Sequence, residues 1–147
     1  MKKAKESGLR KIVKDVFQQI VTSGVPFHVS WIESHATCIG APDIQYCVDG
    51  VDNWIELKYG DDKNPGEVRA AQVLWMEAHI VAGGKPLFLY QHGICFYVVG
   101  GWAASRLRAD PRMETWAACA WVMFVGNIDE HVFLDIIKNP ELCYVSG

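Results

Sequence analysis

The chain has 147 residues, of which half are hydrophobic and about a fifth are charged. This length suits one folded domain with its own apolar core, and the composition argues against a long disordered region. The formal net charge of −3 argues against a strongly basic, non-specific nucleic-acid coat.

The amino-terminal segment is basic and lacks the apolar stretch of a signal peptide. No later apolar run is long and uncharged enough to span a bilayer, so we expect a cytoplasmic protein without a membrane association. Five cysteines are widely spaced and lack C-x-x-C pairing, which predicts neither a disulfide framework nor a zinc site. Buried, unreactive thiols are expected instead.

The first predicted element is a helix over residues 4–22, because apolar residues recur there at helical spacing and Ser23-Gly24 supplies a stop. Its beginning is rich in lysine and arginine, among them Lys11 and Lys14. These side chains form either a positive face for nucleic acid or a solvated terminus. A strand over residues 27–33 and a loop over residues 36–42 are predicted next.

A hairpin is predicted from two strand-like segments, residues 44–48 and 54–58, because Asp49-Gly50 between them is a strong turn signal. After a polar loop, a second helix is predicted from Asn64 to about Val81. Asn64 is its expected cap, with Pro65 at the first helical position and Glu67 completing a capping box.

A second hairpin is predicted from residues 85–90 and 94–99, with a turn at residues 91–93, which gives the sheet five candidate strands. A short helix over residues 102–108 and a break at Asp110-Pro111 follow. Residues 116–125 are apolar and fit either a strand or a helix, and a capped helix is predicted over residues 127–138. The expected class is therefore α/β or α+β, with a central mixed sheet flanked by helices.

The candidate chemistry lies in the first hairpin. Glu56 and Lys58 project from one face of their strand, because side chains alternate between faces. If Asp49-Gly50 forms a two-residue turn, Asp43 lies opposite Glu56, whereas a longer loop makes it a diagonal neighbour. The alternative is a surface ion-pair cluster without a functional role.

Two carboxylates and a third oxygen, such as the backbone carbonyl of Leu57, suit Mg²⁺, which prefers oxygen ligands and retains several waters. Such an ion lowers the pKa of a bound water and stabilises negative charge on a phosphate. Lys58 can hold the nucleophile or neutralise the developing charge. This assembly predicts phosphodiester hydrolysis.

Pro42-Asp43 followed by Glu56-Leu-Lys58 resembles the motif of the PD-(D/E)XK nuclease superfamily. The order of elements also looks like small phage and prokaryotic members, the Holliday-junction resolvase and VRR-NUC groups: Gly40-Ala-Pro-Asp43, the Glu-x-Lys strand, then a helix with Arg69-Ala-Ala-Gln72. The resemblance covers about residues 6–99 and implies a restriction-endonuclease-like core. Residues 100–147 would then be a carboxy-terminal extension of a single nuclease domain, residues 1–147.

The resemblance also implies roles for residues outside the motif. In such nucleases an acidic residue of the first helix can join the metal site, which points to Glu6, with a plain surface residue as the alternative. The glutamine of the second helix, Gln72, would contact the water or the lysine. Arg69 shares a helix face with it and would contact nucleic acid, unless that face is merely solvated.

The sequence therefore predicts an endonuclease on branched or structured DNA that depends on Mg²⁺, with Mn²⁺ as a substitute. The alternative is a non-catalytic nucleic-acid-binding or protein-binding module that retains the nuclease fold. DNA versus RNA and one versus two metal ions remain open. A homodimer is also expected, because a junction presents two symmetric strands; residues 116–125 are either its interface or part of the core.

Overall fold

The computed structural model describes residues 2–33 and 39–144, with side chains from residue 7 onward. Helix α1 runs from Lys2 to Thr22, which confirms the first predicted helix. Its apolar stripe is buried against the sheet because these positions recur on one helix face; the buried side chains are Leu9, Val13, Val16, Phe17 and Ile20.

A six-stranded sheet forms the centre of the molecule, one strand more than predicted. Its strands are adjacent in sequence order: β1 (Phe27–Trp31), β2 (Ile44–Val48), β3 (Val51–Gly60), β4 (Leu87–His92), β5 (Cys95–Gly100) and β6 (Ala120–Val125). All neighbouring pairs are antiparallel except β3–β4, which is parallel because a helical crossover joins these strands. The predicted mixed sheet is confirmed.

Helices cover both faces of this sheet, so the fold is mixed α/β with helices on either side. The later helices are α2 (Ala70–Val81), α3 (Ala104–Ala109), α4 (Met113–Cys119) and α5 (Glu130–Lys138). One apolar cluster joins α1 and α5 to the first face, and a second joins α2, α3 and α4 to the other. In the described part of the chain, no helix has both the length and the apolar character that a bilayer crossing requires.

The first hairpin has the predicted register. Asp49 and Gly50 form a two-residue turn with positive φ angles of 49° and 78°, as a type I′ turn requires. Val48 pairs with Val51 and Ile44 with Ile55. Continued by one residue, this register puts Asp43 opposite Glu56, as the two-residue turn predicts.

The predicted start of the second helix is wrong, because α2 begins at Ala70 and not at Asn64. Asn64 instead closes a turn, in which its carbonyl accepts a hydrogen bond from Asp61 N at 2.8 Å. Residues 65–69 then run without helical structure, since Gly66 packs against the ring of Tyr90 and Val68 is buried. The end at Val81 is as predicted.

The second hairpin is confirmed, although its turn lies further along the chain, at Gly93-Ile94. His92 and Cys95 are the last pair before the turn, and Gly93 has a φ of 59°. The first strand is shorter than predicted and ends at Trp31. Part of the predicted loop at 36–42 lies outside the described residues.

The segment 116–125, predicted as helix or strand, contains both. Trp116 lies in α4 and is fully buried, whereas β6 begins at Ala120 and forms the edge of the sheet. The short helix predicted over 102–108 is confirmed as a 3₁₀ turn at Gly101–Ala103 followed by α3. The last helix starts later than predicted, because Asp129 is its cap.

Candidate active site

The carboxylate of Asp43 lies at the end of the first hairpin, just before β2. Its Oδ2 atom accepts a hydrogen bond from the backbone N–H of Leu57 at 2.9 Å. The backbone of Asp43 is held from the other side, since its carbonyl accepts a bond from Ile32 N at 2.8 Å. Asp43 is therefore fixed between β1 and β3.

The carboxylate of Glu56 is almost fully buried, with 5% of the residue exposed. Its pKa is raised to about 8, chiefly by burial and then by the neighbouring carboxyl of Asp43, while Lys58 lowers it. Lys58 Nζ lies 3.3 Å from Glu56 Oε2. Glu56 thus has Lys58 as its ion-pair partner and Asp43 as a neighbouring group of like charge.

Gln72 joins these groups through both ends of its side-chain amide. Its Nε2 donates to Glu56 Oε2 at 2.7 Å, and its Oε1 accepts from Lys58 Nζ at 2.8 Å. The same Oε1 accepts from the backbone N–H of Arg69 at 2.9 Å, the residue that caps α2. The first turn of α2 therefore orients both Glu56 and Lys58.

These side chains line a cleft of about 540 Å³ at the end of the sheet. Residues from three parts of the chain form it: α1, the first hairpin, and the segment leading into α2 together with the first turn of that helix. The lining residues are Ser7, Leu9, Arg10, Asp43, Glu56, Leu57, Lys58, Tyr59, Gly66, Glu67, Arg69 and Gln72.

The oxygen atoms at this cleft fit a hard divalent cation. Among the described residues, no group of three or more His, Cys, Asp or Glu side chains is arranged to hold a metal, so the protein donors for such an ion would be the carboxylates of Asp43 and Glu56 and a backbone carbonyl. The N–H and C=O of a strand residue project to the same side. Because the N–H of Leu57 points toward Asp43, its carbonyl projects from the same side of β3. Mg²⁺ suits such a set, since it retains several waters.

The structure brings together Asp43, Glu56, Lys58 and Gln72, and Arg69 also lines the cleft. Lys11 and Lys14 lie outside that lining. Lys11 pairs with Asp15 at 3.3 Å, and Lys14 Nζ lies 5.0 Å from the centre of the Trp31 ring. The side chain of Glu6 falls outside the described side chains.

Four polar lining residues were not identified as site residues from the sequence: Ser7, Arg10, Tyr59 and Glu67. Ser7 and Arg10 could have been grouped from the sequence, because residues three apart lie on one face of a helix. Glu67 was assigned to a helix cap, and the actual start of α2 leaves its side chain at the cleft.

No family model matches the sequence, and no curated protein matches it. Among solved structures, the chain is similar to Hjc from Archaeoglobus fulgidus, a Holliday junction resolvase from an archaeal hyperthermophile. The sequence identity is 14% and the TM-score is 0.46, over 63% of this chain and 77% of that chain.

Proposed function

We propose that this chain is a metal-dependent nuclease that hydrolyses phosphodiester bonds in DNA. The observation that carries the proposal is the buried carboxylate of Glu56, which lies beside Asp43 and Lys58 in an open cleft. A buried ionisable group beside a like charge costs stability, and such groups are concentrated at functional sites.

In this proposal Asp43, Glu56 and the carbonyl of Leu57 hold Mg²⁺, for which Mn²⁺ substitutes. When bound, the ion supplies polarisation of the phosphate and acidification of a water molecule. Lys58 holds the attacking oxygen or neutralises charge that develops on the phosphate. Gln72 is a positioning residue, because its amide fixes the orientation of Lys58 and Glu56.

We propose branched or structured DNA as the substrate. This choice rests on the order of motifs described above, from Gly40-Ala-Pro-Asp43 through Glu56-Leu-Lys58 to Gln72, which resembles resolvase-like nucleases. The choice of substrate is separate from the hydrolytic chemistry, because the same carboxylates and lysine can act on any phosphodiester bond.

The test is a cleavage assay on a labelled four-way junction, linear duplex DNA, single-stranded DNA and RNA, with Mg²⁺, Mn²⁺ or EDTA. Asp43→Asn and Lys58→Ala should each lower metal-dependent cleavage by about 10²–10³-fold, as for loss of an electrostatic catalytic group. Asp52→Asn is the matched control, since Asp52 lies on the same hairpin but bonds Gln45 outside the cleft. Unchanged cleavage by Asp43→Asn would sink the proposal.

A second candidate function is a binding module for nucleic acid or protein without catalysis. The net charge of −3 favours it. Binding of DNA without metal-dependent cleavage on any of these substrates would support this function over the first.

We also propose a homodimer, in which the edge strand β6 meets its counterpart. Within the described residues β6 is the last strand of the sheet, and Trp121, Met123 and Val125 are about half exposed along it. An apolar edge without lysine or proline lacks the usual protection against strand pairing.

A further inference from the structure

A second groove, of about 590 Å³, adjoins the active-site cleft. It lies between residues 67–69 and the segment from Ser105 to Pro111, which includes most of α3. Glu67 and Arg69 line both the groove and the cleft. The two concavities therefore form one continuous path across the surface.

The walls of this groove are held together by buried contacts. Val68 is 2% exposed and belongs to the same apolar cluster as Ala104 and Leu107 of α3. Arg108 Nη1 also donates to the carbonyl of Val68 at 3.4 Å. Because α3 is packed on the segment that leads into α2, the groove is present before any partner binds.

The charge of the groove is opposite to that of the whole chain. The charged residues that line it are two arginines, Arg69 and Arg108, and one acidic residue, Glu67, whereas the chain has a net charge of −3. In the described part of the chain, Arg69 and Arg108 form no salt bridge with a carboxylate, and both are exposed in the groove.

We propose that this groove binds the sugar–phosphate backbone of the strand that leads away from the scissile phosphate. The inference rests on the proposed nuclease function, which places that phosphate at Asp43 and Glu56. Arg69 and Arg108 contact successive phosphates, since guanidinium groups bind phosphate oxygens in a bidentate manner. The Ser105 hydroxyl is a further donor. Such contacts are independent of base sequence. The groove therefore fixes the direction in which the strand leaves the cleft and does not select a base sequence.

The test compares Arg108→Gln with Arg106→Gln. The first variant removes the charge and retains an amide that can bond the Val68 carbonyl. The second removes the same charge from the same helix at a residue that does not line the groove. Binding of labelled four-way junction and linear duplex DNA is measured by fluorescence anisotropy in EDTA, between about 50 and 200 mM salt. Cleavage is measured in parallel with Mg²⁺.

Arg108→Gln should weaken binding about tenfold and lower the salt slope by about one, as for one lost phosphate contact. Arg106→Gln should have little effect, and Glu67→Gln should strengthen binding by removing a negative charge from the path. Equal effects of Arg108→Gln and Arg106→Gln, or no binding of DNA by the chain, overturn the proposed groove. If binding depends on Arg108 but no substrate is cut, the groove stands and the nuclease proposal fails.

Discussion

Replacement of Glu56 by glutamine should make the metal-free protein more stable at alkaline pH. Burial, reinforced by the carboxyl of Asp43 and partly opposed by Lys58, raises the pKa of Glu56 to about 8. Glutamine retains an oxygen that can accept the bonds from Lys58 and Gln72, and it removes the buried charge. The substitution therefore isolates the energetic cost of ionising Glu56.

The direction of this pH effect on stability follows from how tightly the folded and unfolded states bind the proton of Glu56. The folded-state pKa lies above the reference value of 4.5, so the native state holds the proton more tightly than the unfolded chain. The stabilising contribution is fully present below about pH 4.5 and is lost as the pH rises to about 8. At pH 7.5 the loss amounts to roughly 4 kcal/mol, which is a large part of the 5–15 kcal/mol that stabilises an ordinary domain.

The assay is urea unfolding in EDTA at several pH values from 5 to 8.5, for the wild type and Glu56→Gln. The free energy of unfolding of the variant should rise relative to the wild type by several kcal/mol across this range. Glu77→Gln is the control, because it removes an exposed carboxylate from α2 and its difference from the wild type should stay constant. A constant difference for Glu56→Gln as well would refute the reasoning.

The proposed metal should offset the energetic cost of ionising Glu56. A bound Mg²⁺ requires ionised carboxylates, and its binding to the folded state alone stabilises that state. Mg²⁺ should therefore raise the Tm of the wild type more at pH 8 than at pH 6. Neither Glu56→Gln nor Asp43→Asn should show this pH-dependent response. An identical Mg²⁺ response in Asp43→Asn would contradict the proposed ligand set.

Three further predictions concern packing and assembly. In a urea titration, Gly66→Ala should lower the free energy of unfolding by about 1–3 kcal/mol, because a Cβ there would lie 2.7 Å from Cε1 of Tyr90. Gly8→Ala is the control and should not destabilise the protein, because there is open space around Gly8. Tyr46→Phe should cost about 1–3 kcal/mol, since its hydroxyl donates to a backbone carbonyl of α5 at 2.7 Å, and circular dichroism melts would test this. Trp121→Lys should convert a dimer to a monomer in analytical ultracentrifugation, and a wild-type monomer would contradict the proposed interface.

The first hairpin could be predicted from sequence because its determinants are local. Asp49-Gly50 fixes a two-residue turn, and the register of β2 and β3 then follows without knowledge of the rest of the molecule. Strand alternation puts Glu56 and Lys58 on one face. Three of the four central site residues were therefore accessible from residues 43–58 alone.

The burial of Glu56 could not be predicted in this way, because it depends on the position of α2. The start of that helix is set by a distant contact, the packing of Gly66 on Tyr90 of β4. The local signals at Asn64, Pro65 and Glu67 indicated a helix start, and tertiary packing overrode them. Similarly, the change from helix to strand at Ala120 depends on pairing with β5, which the apolar run alone does not specify.

The later start of α2 also explains how the site is organised. With Arg69 as the cap, Gln72 is the third residue of the helix, the position from which a glutamine side chain reaches back to the cap N–H. Its Oε1 accepts that N–H and Lys58 Nζ together, while its amide nitrogen bonds Glu56. A helix that began at Asn64 would put Gln72 in its interior, where no free N–H is available to this side chain. The segment 65–69 thus links the packing of Gly66 to the geometry of the candidate catalytic groups, through the first turn of the helix that follows.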